Sequence, residues 1–71
     1  MPIRYEFRIR GVLGARELKA FPELVAVTRG GETVLSGTLA DQAALFSVLG
    51  QIEALALELI EVRESPVAGE D

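Results

Sequence analysis

The chain has 71 residues, about half of them apolar, and a net charge of −4. This length provides one small domain, and the apolar content is too high for a disordered chain. Because Cys and His are absent, disulfides and thiolate or imidazole metal sites are excluded. The negative charge also disfavours general nucleic-acid binding.

No apolar run approaches the ~18 residues that a membrane span requires, and the alternating charged N-terminus is unlike a signal peptide. We therefore expect a cytoplasmic protein without a membrane partner. Residues 1–31 hold six basic and three acidic side chains, whereas residues 32–71 hold one basic and eight acidic ones. Opposite charges of this kind can guide self-association, and they also fit ordinary solvated faces of different sign.

Residues 3–10 form the first predicted strand, in which apolar and charged side chains alternate as in a strand with one buried face. The charged face holds Arg4, Arg8 and Arg10, which could contact an anion or an acidic partner. A solvated face, paired partly by Glu6, is the simpler interpretation. Between this strand and Pro22, residues 15–21 could form one or two helical turns that touch the core through Leu18 and Phe21.

Residues 24–39 predict a β-hairpin, because Gly30 and Gly31 suit the two positive φ angles of a type I′ turn. In that register Val27 faces Val34 and Arg29 faces Glu32. One face then carries Leu24, Ala26, Leu35, Gly37 and Leu39, and the other carries Val25, Val27, Val34 and the Arg29–Glu32 pair. Neither face is cleanly polar, so both are expected to be partly covered.

The main helix is predicted at residues 41–55, with Asp41 as its N-cap. Its apolar positions follow the helical period and are Leu45, Val48, Leu49 and Ile52. From Leu55 two alternatives remain: the helix continues through Leu59 and Ile60, or residues 57–63 form a fourth strand. Residues 65–71 are predicted to be a disordered acidic tail after a domain of residues 1–64.

Residues 5–63 resemble a family of small uncharacterised bacterial proteins, frequent in actinobacteria and Chloroflexi. Members carry Gly-Pro-x-x-Asp-Gln-Ala-Ala-Leu at the start of a basic helix and Leu-Gly-Leu-x-Leu-x-Ser-Val in a C-terminal strand. The matching residues here are Thr33, Leu35, Gly37, Asp41, Gln42, Ala43, Ala44, Leu45, Leu57, Leu59 and Val62. The resemblance carries no activity; it implies that the helix ends near Leu55 and that residues 57–63 form a strand.

This chain departs from the pattern of that family at three points. Thr38 stands where Pro is usual, Ala56 stands where Gly is usual, and the helix lacks the Arg-rich surface. The second departure leaves the longer helix open as an alternative, and the third argues against a partner that reads a basic helix. Together these segments predict an α+β fold: a β-β-β-α-β domain with a mainly antiparallel four-stranded sheet and one main helix on one face. The rest of the expected core is Tyr5, Phe7, Ile9, Leu59 or Ile60, and Val62.

The outward face of the predicted helix is almost uncharged, although a solvated helix usually carries Lys and Glu there. Its small residues follow a helical period and are Ala43, Ser47, Gly50 and Ala54, with Phe46 beside them. Gly50 costs about 1 kcal/mol in helix propensity, which close approach of another backbone would offset. We expect a homodimer or higher oligomer through this face, with Val25, Val27 and Val34 covered as well. A short helix that tolerates small surface residues is the alternative.

Catalysis is not expected, because the usual nucleophile–base pairs need His, Cys or a positioned Lys, and Lys19 is the only lysine. Removal of Met1 would expose Pro2, whose amine is the general base in small tautomerases. Those enzymes have a long helix directly after the first strand, for which Gly11, Gly14 and Pro22 leave no room here. No cofactor or metal is expected either.

The composition favours a protein-interaction or self-assembly module; the alternative is a small-ligand sensor with a pocket between subunits.

Overall fold

A computed structural model describes residues 2–66 of the chain. Its elements are β1 (Ile3–Arg10), α1 (Ala15–Leu18), β2 (Val25–Arg29), β3 (Glu32–Leu39), α2 (Gln42–Ala54) and β4 (Leu59–Pro66). The strands form one antiparallel sheet in the order β2-β3-β1-β4. The predicted α+β fold, with one main helix on a four-stranded sheet, is confirmed.

Two of the connections cross over a neighbouring strand. The chain from β1 to β2 passes β3, and the chain from β3 to β4 passes β1. This order and connectivity are those of the ferredoxin-like, or split βαβ, arrangement. Its first helix is reduced here to the single turn of α1, within the segment predicted to form one or two turns.

The hairpin of β2 and β3 has the predicted register. Val27 pairs with Val34 and Arg29 pairs with Glu32, on either side of a two-residue turn. Gly30 and Gly31 have φ angles of 53° and 80°, which the absent side chain permits. The periodicity of the two strands and the Gly-Gly turn therefore set this part of the fold locally.

The core lies between the sheet and the segments that cross it. Its fully buried residues are Phe7, Ile9, Leu35 and Thr33, and Tyr5, Phe21, Leu39, Val48 and Ile52 are buried around them. Thr33 is the one polar member in the described residues, and its hydroxyl donates to the Gly11 carbonyl and accepts from the Leu13 N–H. These bonds satisfy a group that is costly to bury alone.

The prediction that Val62 belongs to the core is wrong. Its side chain is on the helix side of the sheet, opposite Phe7, but it remains 40% exposed. The physical reason is that β4 is an edge strand, with a neighbouring strand on one side only. Leu59 is half-buried and packs against the core, and Ile60 is the extra residue where the pairing of β4 with β1 shifts between Arg8 and Ile9.

Helix α2 begins at the predicted N-cap and ends before the segment that had two alternatives. The Asp41 carboxylate accepts from the Ala44 N–H at 2.9 Å. At the other end the Ala56 N–H donates to the Glu53 carbonyl at 2.9 Å, and the Leu57 N–H donates to the Ile52 carbonyl at 3.1 Å. This pair of bonds is a Schellman motif, with Ala56 in the left-handed conformation at φ 58°. The longer helix is therefore wrong and the fourth strand is confirmed.

Strand β4 extends beyond the predicted domain end at residue 64. Ser65 and Pro66 pair with Arg4 and Ile3, so they belong to the sheet rather than to the predicted tail. The remainder of that tail, residues 67–71, lies outside the described residues. Within residues 2–66 no helix has the length and apolar character needed to cross a membrane.

Candidate interaction surfaces

The helix face is the side of α2 that points away from the sheet, and it consists of Ala43, Phe46, Ser47, Gly50 and Ala54. It faces outward because Val48 and Ile52 are buried on the other side of the same helix. All five members are exposed, and Phe46 is 62% exposed. A Cβ atom added at Gly50 would meet nothing within 4 Å. The structure thus presents together the five helix residues singled out from the sequence.

A shallow groove of about 210 Å³ borders the helix face. Its walls come from α2 and from the chain that leads into β2, and they are formed by Ala20, Pro22, Glu23, Ala44, Ser47, Val48 and Gln51. Ser47 belongs to both the groove and the helix face. The groove makes the surface beside the helix face concave. Glu23 is the one charged residue in its lining.

The open sheet face is the side of the sheet opposite α2. Register places two kinds of side chain on it: an apolar group on β2 and β3, made of Val25, Val27 and Val34, and a charged group on β1, β3 and β4. Val25 is 64% exposed, Val27 is 47% exposed, and Val34 is half-buried. These valines lie on the opposite side of the molecule from the helix face. They and the helix face therefore cannot be covered by one contact of a second copy.

The arginine stripe of Arg4, Arg8 and Arg10 lies on the open sheet face, as its alternation predicts. Arg8 binds the Glu61 carboxylate at 3.0 Å and the Glu32 carboxylate at 3.4 Å, and Arg10 binds Glu58 at 3.1 Å. Glu32 and Glu61 belong to the neighbouring strands and Glu58 directly precedes β4, so none of these partners is Glu6. With two of its three guanidinium groups already paired, the stripe offers an incoming anion less than the sequence alone suggests.

The sequence did not predict the acidic partners of these arginines, because the pairing of β1 with β3 and with β4 is not encoded in local periodicity. Glu61 also lies 3.6 Å from Arg63, so it takes part in two ion pairs. The open sheet face has a shallow concavity of about 510 Å³, lined by both charged and apolar side chains: Glu6, Arg8, Val27, Arg29, Val34, Ser36, Glu61 and Arg63. Exposed ion pairs of this kind contribute about 0–1 kcal/mol each, so they matter more for the character of the surface than for stability.

Other candidate chemistry has little geometry to support it in the described residues. Pro2 is exposed and directly precedes β1. Within residues 2–66, no three acidic side chains come close enough to hold a metal ion. All four aromatic residues of the chain are accounted for, with three in the core and Phe46 on the helix face, so the open sheet face has no ring on which a base could stack.

One side chain has a shifted pKa that the structure explains. Tyr5 lies buried on the helix side of β1, directly across from Glu64 of β4. Burial, and then the negative charge of Glu64, raise the pKa of the Tyr5 phenol above its usual value. The raised pKa favours the neutral, protonated phenol.

The fold and these two surfaces define a small ferredoxin-like α+β domain with an apolar helix face and a partly apolar open sheet face. The chain belongs to DUF8691, a family described as a domain of unknown function, whose model matches residues 4–63. No curated protein and no solved structure matches the chain significantly.

Proposed function

We propose that this domain is a protein-interaction or self-assembly module without catalytic activity, and that the helix face is its contact surface. The observation that carries this proposal is Phe46, a large apolar side chain that is 62% exposed in the middle of α2. Around it the exposed residues of the helix include only one charged side chain, Glu53. Aromatic anchors in apolar surroundings contribute most of the binding energy in many protein interfaces.

Gly50 supports the same surface. Glycine inside a helix destabilises it by roughly 0.5–1 kcal/mol relative to alanine, and no neighbouring atom in the isolated chain requires the missing side chain. A second helix packed against Ala43, Ser47 and Gly50 would use it, because small residues let two backbones approach closely. A twofold contact would bring this face against itself, as in most homo-oligomers.

A small-ligand sensor with a pocket between subunits is the second candidate. It is supported by the concavity of about 510 Å³ on the open sheet face, which a second subunit could close. Its polar side chains, however, already bind one another through Arg8 and Glu61. Thermal denaturation against a panel of metabolites tests this candidate, and a ligand that raises the midpoint of wild type but not of Arg8→Ala would favour it.

The self-assembly proposal is tested by replacing exposed apolar residues with arginine. Phe46 and Val12 are 62% and 64% exposed, so Phe46→Arg and Val12→Arg make the same change inside and outside the helix face. We expect Phe46→Arg and Gly50→Arg to split the assembly into smaller species, because a long charged side chain does not fit between packed helices. Val12→Arg should keep the mass of wild type.

The measurement is light scattering at high micromolar concentration, with circular dichroism to verify that each variant is folded. If folded Phe46→Arg and Gly50→Arg keep the mass of wild type, the helix face is not the contact surface. A wild-type mass of 7.6 kDa would contradict self-assembly altogether.

A further inference from the structure

The two edges of the sheet differ in how they are protected against pairing with another chain. At one edge β4 carries the charged residues Glu61, Arg63 and Glu64, an extra residue at Ile60 that shifts its pairing, and Pro66 without an N–H. Such features keep edge strands from joining other sheets. At the other edge β2 has an unbroken register with β3, no proline, and no charge before Arg29.

The unpaired backbone groups of β2 can be assigned from its hairpin. In a two-residue turn the flanking residues, here Arg29 and Glu32, form a hydrogen-bonded pair, and such pairs alternate along an antiparallel ladder. Val27 and Val25 therefore bond towards β3. Ala26 and Thr28 direct their N–H and C=O groups outward, away from the sheet.

We propose that a second copy of this chain pairs antiparallel with β2 across this edge, around a twofold axis at Val27. In that register each Ala26 bonds with Thr28 of the second copy, so all the outward groups of both residues find partners. The proposal rests on the proposed self-assembly role but uses a different surface, on the edge of the sheet instead of the helix.

Charge favours the antiparallel orientation. Glu23 precedes β2 and Arg29 ends it, and both are exposed. Antiparallel pairing brings Glu23 of one copy to the end where Arg29 of the other lies, whereas parallel pairing would set like charges beside each other.

The pairing also covers apolar surface that the single chain leaves exposed. The two copies of Val27 would face each other across the new strand pair, with Val25 and Val34 of both chains beside them on the open sheet face. The result is an eight-stranded sheet whose centre is apolar and whose flanks carry the ion pairs of Arg8 and Arg10. An apolar centre with a polar rim is typical of protein interfaces.

The test uses a proline that removes only an outward donor. Thr28→Pro deletes the N–H that would bond the second copy and leaves the bonds of Val27 to β3 intact, because proline is tolerated on edge strands where the N–H faces outward. Thr28→Ala keeps that N–H and is the matched control. We expect Thr28→Pro to halve the mass in solution and Thr28→Ala to leave it unchanged.

Hydrogen exchange provides a second measurement that needs no variant. The amides of Ala26 and Thr28 should exchange more slowly as protein concentration rises and the assembly forms. Fast exchange of both amides in the assembled protein, or a folded Thr28→Pro with the mass of wild type, would overturn the pairing. If Gly50→Arg nevertheless yields monomers, the helix contact stands alone; a wild-type monomer contradicts both.

Discussion

Ala56 occupies a backbone position that suits glycine. Its φ of 58° lies in the left-handed region, which costs a residue with a Cβ about 1–2 kcal/mol. Glycine is the usual residue at this position of a Schellman motif such as the one that ends α2. Alanine keeps the fold because Leu57 and the strand after it are held by the core.

We therefore predict that Ala56→Gly stabilises the domain by about 1 kcal/mol. The matched control is Ala54→Gly, the same substitution within α2, which should destabilise by a similar amount because glycine is a poor helix former. Urea denaturation of both variants measures the two free energies of unfolding. Destabilisation by both substitutions would contradict the left-handed conformation at residue 56.

Gly37 is required for a different reason, which is space. A Cβ atom there would lie 2.8 Å from Leu24 Cδ2 and 2.9 Å from the Glu23 carbonyl oxygen. The leucine side chain can move, but the backbone oxygen belongs to the segment that crosses β3.

We predict that Gly37→Ala destabilises the domain by roughly 1–3 kcal/mol, as overpacking does in other cores. Ser36→Ala, the neighbouring position on the opposite side of β3, adds no atom and should change stability little. The two midpoints of thermal unfolding provide the comparison, and equal midpoints would contradict the close approach of residues 23–24.

The ionisation of Tyr5 should make the stability of the domain vary with pH in the alkaline range. The folded state holds its proton more tightly than the unfolded state, since burial and Glu64 raise the pKa of the phenol above 10.0. The contribution of Tyr5 to stability is thus fully present below the ordinary pKa of 10.0 and is lost as pH rises through the folded pKa, where the unfolded chain has lost a proton that the folded chain retains.

Tyr5 is the only tyrosine and the chain has no tryptophan, so ultraviolet absorbance follows its ionisation directly. We predict a higher apparent pKa of Tyr5 in the native protein than in denaturant. In native Glu64→Gln the pKa should fall only part of the way towards the value in denaturant, because the phenol remains buried after the charge is removed. Identical titration curves for the native and denatured protein would show that Tyr5 is not shielded as described.

At the scale of elements, features encoded by neighbouring residues were predictable. Gly30-Gly31 set the hairpin register, and Asp41 with the period of Val48 and Ile52 set the start and the buried side of α2. The end of α2 was ambiguous because Ala56 is the best helix former by propensity, yet it adopts a left-handed conformation. Tertiary contacts of the following strand overcome that local preference.

Features that depend on strand order were not predictable in the same way. The partners of the arginine stripe, Glu32, Glu58 and Glu61, become neighbours only when β1 is placed between β3 and β4. The exposure of Val62 has the same origin, since nothing in the alternation of β4 marks it as an edge strand. Long-range pairing sets both properties, and a single sequence gives no direct signal of it.

For the whole molecule, the layered arrangement decides how surfaces combine. One layer is α2 and the other is the sheet, so the helix face and the open sheet face point in opposite directions. The exposed residues of these two faces were predictable from the sequence, but the fact that the two faces lie on opposite sides of the molecule was not. If the helix face and the β2 edge both bind second copies, the assembly must exceed a dimer, because each copy then contacts two others.

Self-association would also compensate for the small core of so short a chain. A chain of about this length buries only about 60% of the surface that its unfolded form exposes, and here there are no disulfides to assist. Contact through Phe46 or Val27 would remove further apolar area from water, at roughly 25 cal/mol per Å². Stability should then rise with protein concentration, as mass action requires for a protein that assembles only when folded.

The most direct test of the central claim is sedimentation velocity of the wild-type protein over a dilution series up to high micromolar concentration. Self-assembly predicts a mass of at least twice 7.6 kDa at the upper end, falling on dilution. A single species of 7.6 kDa throughout the series would contradict it.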